Sequence, residues 1–214
     1  LMEQMGSTEK DPLKELETKD STVYFKEHVD TSTVLTAREK ELIRDGSLRI
    51  KVDEAAKEMK VMLNFPFKNM ADLPELKKTY ITAIDKLGIS KKLEKGEDGP
   101  GDIPDDVAGN KNLLTPGQEA YSFSAAPGKI ANTLVNKELF NNKVLQDSSL
   151  QMMQQLSVMM GDMNYKTTFV LPGGVKKYKG NNVEVAPDKK TVTFFTTLTD
   201  LINRPEAAEY SVEY

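Results

Sequence analysis

The chain has 214 residues, 38% of them apolar, enough for one compact domain with a modest core. Its formal net charge of −4, from 29 basic and 33 acidic residues, gives no bulk drive toward nucleic acid. It has no cysteine, which excludes disulfides, thiolate nucleophiles and thiolate metal sites, and no run approaches the ~20 apolar residues of a membrane-spanning helix.

Residues 1–20 are charged and aperiodic and read as a flexible tether. Ser7 and Lys10 match the Ser-x-x-Lys spacing of penicillin-binding enzymes, but the companion motifs are missing and the match is assigned to chance. "STVYFKE" alternates Val23 and Phe25 against Tyr24 and Lys26, which predicts a strand and puts His28 at its end. "TAREKELIRDG" predicts a brief helix closed by Gly46. In "SLRIKVDEAAKEMKVMLNFPF", Leu48, Ile50 and Val52 share one face; after a polar turn, so do Met59, Val61, Leu63, Phe65 and Phe67. That is a hairpin with one face in the core and one in water.

A helix is expected from Asn69 to Leu87, capped by Asp72 and ended by Gly88. Its stripe of Leu73, Leu76, Tyr80, Ala83, Ile84 and Leu87 can lie on the hairpin. Residues 90–117, rich in Gly, Pro and charge, read as a mobile insertion or linker. Asp98, Asp102, Asp105 and Asp106 there fail the calcium-loop spacing, and the bidentate Glu is missing. "EAYSFSAAPGKIANTLV" predicts a second hairpin turning at Pro127-Gly128, followed by a polar stretch.

"DSSLQMMQQLSVMMGDM" predicts a deeply buried helix, capped by Asp147 or Ser148 and ended by Gly161. Its methionines favour a core helix; Met152, Met153, Met159 and Met160 are the candidate contacts if a greasy ligand binds. The tail is strand-rich: "YKTTFVLP", "NVEVA", a "PDKK" turn, "TVTFFTT", a short helix capped by Thr199, and "EYSVEY".

"LPGGVKKYKGNN" tempts a phosphate-loop reading. Such a loop opens a helix, and here no helix is expected before Leu198. The segment reads instead as turns, with Gly180-Asn181-Asn182 supplying positive φ and Lys176, Lys177 and Lys179 facing water. The expected fold class is therefore α+β: a mainly antiparallel sheet of about eight strands, with two main helices, at 70–87 and 147–161, packed on one face. The expected organisation is a tether over 1–20 and a single domain over 21–214 that carries the 90–117 insertion.

The run from "YKTTFVLP" through "VEVAPDKKTVTF" to "TLTDLINRPEAAEYSVEY", together with "KVMLNFPFKNMADLPEL", resembles uncharacterised Bacteroidetes-type cell-envelope lipoproteins. Ala186-Pro187-Asp188-Lys189-Lys190 stands where that family more usually has Asp-Gly-Lys. The resemblance implies a lipid-anchored protein of the periplasm or cell surface, tethered by a cysteine upstream of Leu1, and it implies no activity.

Catalytic constellations are sparse. His28 is the lone histidine, short of a zinc site and without a Gly-x-Ser-x-Gly partner. The chain has no Trp, which disfavours a sugar-cleaving site built on exposed aromatic platforms. No cofactor, metal or catalytic residue is expected. The leading expectation is a non-enzymatic envelope protein binding a hydrophobic or lipid-like ligand or another envelope component. The alternative is an assembly protein that grips an envelope partner through a strand edge or the 90–117 insertion; a hydrolase using scattered carboxylates ranks below both.

Overall fold

The structure is a computed structural model that describes residues 19–53, 58–88 and 114–214. The expected tether before Lys19, the insertion up to residue 113 and the acids Asp98 to Asp106 lie outside the described residues. The chain forms two compact units, one drawn from 1–66 and 84–108, the other from 67–83 and 109–214.

The first unit holds β1 (Lys19–Tyr24), α1 (Phe25–Thr31), α2 (Ala37–Ile43), β2 (Ser47–Asp53) and β3 (Glu58–Asn64). The three strands form an antiparallel sheet in the order β1-β2-β3. The predicted hairpin forms, with Leu48 opposite Leu63 and Ile50 opposite Val61, but β3 ends at Asn64, short of Phe65 and Phe67, and Val61, expected on the core face, is exposed. The predicted strand over 21–27 ends early. Phe25 and Val29, one helical turn apart, are both fully buried, so the chain turns helical at Phe25 and carries His28 on α1 instead of on a strand. Thr36 and Glu39 form a reciprocal capping box at the start of α2. Gly46 ends that segment by close approach: a Cβ there would lie 2.6 Å from the Phe65 ring.

The second unit begins with a 3-10 turn at Met70–Asp72, capped by Asn69, whose side chain accepts from the Ala71 N–H. It leads into α3 (Leu73–Lys86), whose residues up to Ala83 belong to this unit. Then come β4 (Tyr121–Ala126), β5 (Lys129–Leu134), α4 (Lys137–Val144), α5 (Ser148–Met160) and β6 (Asn164–Val170). They are followed by β7 (Lys177–Gly180), β8 (Asn182–Val185), β9 (Thr191–Thr197), α6 (Leu198–Asn203) and β10 (Tyr210–Glu213). The second hairpin turns at Gly128 as expected, with φ +83°. Thr197, not Thr199, caps α6.

The expected single sheet of about eight strands with two main helices is not what forms. Among the described residues the ten strands make three separate antiparallel sheets, β1-β2-β3, β4-β5-β10-β7 and β6-β9-β8, accompanied by six α-helices. Period-two alternation tells that a strand has two faces; it does not tell which ladder the strand joins. After β5 the chain passes through α4 and α5 and starts a new sheet at β6, and β10 returns to slot between β5 and β7. The stretch read as merely polar is α4, held by Phe140 and Val144, buried one turn apart, and capped by Asn136.

Inside the second unit, the β4-β5-β10-β7 and β6-β9-β8 sheets meet through aromatic rings. Phe123 stacks on Phe169 at 6.2 Å, and Phe194 stacks on Tyr210 at 4.4 Å with the planes 13° apart. Ile130, Val192 and Val212 are fully buried beside them. Gly180 serves this packing and not a left-handed turn: its φ is not positive, and a Cβ there would sit 2.9 Å from Val183 and 3.2 Å from Phe194. Among the described residues, no helix is long and apolar enough to cross a membrane.

Candidate functional site

Cross-strand register builds the site. Phe123, Asn132, Tyr210 and Gly180 stand in one row across β4, β5, β10 and β7. Because side chains alternate, this row faces the aromatic core, and its neighbours along the strands, Thr133 on one side and Ser211 with Lys179 on the other, face away from it.

On the core side lies Lys77 of α3. Its Nζ donates to Asn132 Oδ1 at 2.9 Å, and sits 4.6 Å from the centroid of the Phe123 ring and 5.7 Å from that of Tyr210. Asn132 is anchored in turn, its Nδ2 donating to the Ala208 carbonyl at 3.0 Å. No carboxylate pairs with Lys77 among the described residues. Burial pushes its ammonium down to about 8. The two ring faces and one amide oxygen partly offset that desolvation. Burial also raises the Tyr210 phenol, helped by neighbouring Tyr80 and eased by Thr167; its Oη has no partner of hydrogen-bond geometry. Lys77 falls on the apolar stripe, four residues after Leu73 and three before Tyr80, so a charge inside a greasy face was its sequence signal.

On the other side is an open groove of about 410 Å³, lined by Asn132, Thr133, Lys179, Gly180, Asn181, Arg204, Glu206, Ala207, Glu209, Tyr210 and Ser211. The loop after α6 forms one wall, starting with a 3-10 turn at Pro205–Ala208. Its charges are unequally engaged. Glu206 accepts from Lys137 at 2.9 Å, which holds its carboxyl below the usual range. Glu209 accepts from the Leu134 N–H at 2.9 Å, and Arg204 pairs with Asp200 at 3.1 Å. The Lys179 side chain makes no ion pair or hydrogen bond among the described residues. Glu206 is thus paired with an ammonium and Arg204 with a carboxylate, Glu209 is held by a backbone N–H, and Lys179 keeps its ammonium in the groove.

The predicted ligand contacts on α5 do not join either feature's described lining. Leu150 is fully buried, Met152 is exposed and Met153 half-buried; the side chains of Met159 and Met160 lie outside the described residues. The sequence assigns Asn181 only to a positive-φ turn, a conformation it does not adopt, and gives Arg204 no role, because residues drawn from β5, β7, the loop after α6 and β10 meet only once strand order is known. Among the described residues, no cluster of three His, Asp or Glu could hold a metal ion. No protein-family model, no curated protein and no solved structure matches the chain.

Proposed function

We propose that the protein is a non-enzymatic binding protein of the bacterial cell envelope, held there by a lipid anchor, and that its second unit takes a polar, anion-bearing envelope component in the groove between β7 and the loop after α6. One observation carries this reading: Lys179 is uncommitted in a groove whose two carboxylates are already engaged by Lys137 and by the Leu134 N–H. A lining of charged and amide side chains suits a carboxylate or phosphate group better than an acyl chain, whose burial gains nothing against polar walls. The envelope-component form of the reading is therefore favoured over the lipid-like one.

The test is purification from the native envelope, followed by aqueous and organic extraction and mass spectrometry. An anionic, water-soluble component should accompany the wild-type chain and be lost from K179A. Recovery of an acyl lipid alone, retained equally by K179A, would overturn the assignment.

A further inference from the structure

The charges that line the groove are of two kinds. Arg204 and Glu206 are met by opposite charges of the chain itself, Arg204 by Asp200 at 3.1 Å and Glu206 by Lys137 at 2.9 Å. Lys179 and Glu209 are not. Among the described residues neither forms an ion pair, with the other or with any third group.

Glu209 is half-buried, and its Oε1 accepts from the Leu134 N–H at 2.9 Å. The Tyr121 hydroxyl, close enough to feel the Glu209 charge, gives its proton to the Pro205 carbonyl at 2.7 Å instead. The cations that this loop attracts, Lys137 and Arg204, are turned to Glu206 and Asp200. A carboxylate stripped of part of its water and met by one neutral donor is under-compensated, and an ammonium brought to its second oxygen restores the balance.

Strand register sets the two open charges on opposite sides of β10, which lies between β5 and β7. Lys179 stands across from Ser211, on β7. Glu209 precedes β10 in extended backbone, with φ −73° and ψ 136°, so it shares the outward face of Ser211, and its carboxylate reaches the other way, to the end of β5. The groove therefore has a positive side at β7 and a negative side at β5, with the Ser211 hydroxyl on the strand between. A simple anion uses the positive side alone; a ligand that carries an ammonium as well meets both.

We infer, resting on the groove assignment above, that the occupant is a zwitterion, its ammonium held by Glu209 and its carboxylate or phosphate by Lys179, as in a short peptide with free ends or an ethanolamine phosphate.

Two ligand pairs separate the ammonium from the anion. Glycylglycine is N-acetylglycine with an ammonium added, and phosphoethanolamine is ethyl phosphate with one added. Each is titrated into the isotope-labelled full chain and followed at the Thr133, Leu134, Lys179 and Ser211 amides. In at least one pair the zwitterion should bind at least about ten-fold tighter than its anion, the contribution of one charge-assisted hydrogen bond. E209Q keeps an oxygen for the Leu134 N–H and removes the charge, so it should bring that ratio to about one. K179A should weaken both members of the pair. A preference for glycylglycine assigns a peptide, and a preference for phosphoethanolamine assigns a phosphate headgroup. Equal binding within both pairs would overturn the inference while leaving the anion groove intact, and so would a preference that E209Q retains. No saturable shift from any of the four ligands would remove the groove assignment as well.

Discussion

Replacing Lys77 with methionine isolates the energetic consequence of placing an ammonium on an aromatic floor. The folded state lowers Lys77 from its ordinary 10.5 to about 8 by burial. Between those values the unfolded chain holds the proton and the folded chain has released it. Unfolding therefore takes up a proton, and stability rises with pH across this window. Integrating the two titrations from pH 7 to pH 9.5 gives a gain of about 2 kcal/mol, reduced to about 1–2 kcal/mol because the side chain is only part-buried. The upper limit of the window matters. Tyr80, Tyr121, Tyr165 and Tyr210 are all raised by burial, so above about pH 10 they ionise first in the unfolded chain and lower stability. Urea denaturation of wild type and K77M, at matched pH values between about 7 and 9.5, separates the two effects, since the tyrosines are common to both chains. The wild type should gain stability relative to K77M by about 1–2 kcal/mol across the range. Parallel pH profiles for the two chains would refute the placement of Lys77 against the Phe123 and Tyr210 rings.

Three other perturbations test separate parts of the structure. F194D puts a carboxylate into the stack with Tyr210, where Phe194 is 5% exposed, and should destabilise by roughly 4 kcal/mol or more in thermal melts. K189G relieves the left-handed lysine in the β8–β9 turn and should stabilise by about 0.5–1 kcal/mol, seen as a rise in Tm. Glu39 is held at about 2 by the Lys86 ammonium first and the Thr36 N–H second. Its stabilisation is full above its unfolded value near 4.5 and fades as pH falls toward 2. After allowance for solvent screening it amounts to about 1 kcal/mol, so E39Q should flatten the acid limb of the stability curve by that much.

Local chemistry was the most legible part of the molecule. The helices at 73–86 and 148–160, the turn at Gly128 and the hairpin of β2 with β3 all follow from stripes, caps and alternation. The strand reading at Phe25 failed because alternation over two apolar residues is weaker than a buried Phe25–Val29 helical pair, visible only once Val29 is counted. Helix α4 was missed for the same reason: two apolar residues one turn apart sit among amides and charges.

The larger error, one sheet in place of three, has a different origin. Strand partners are chosen by the path of the chain, and nothing in "EYSVEY" says that it will lie between β5 and β7. The candidate site inherits that limit. The sequence marks Lys179 only as a solvated edge lysine, and it does sit on an edge strand. Its relation to Arg204, Glu206 and Glu209 exists only because β10 places the loop that precedes it beside β7. Lys77, by contrast, was readable as a charge inside an apolar stripe.

The groove is tested most directly by amide chemical shifts of the isotope-labelled full chain, titrated with glycerol 1-phosphate and with trigalacturonate, using neutral maltotriose as control. The account predicts saturable, anion-dependent shifts concentrated at Thr133, Lys179–Asn181 and Ser211, and their loss in K179A. Saturable shifts centred on α5, or shifts of equal size with maltotriose, would contradict it.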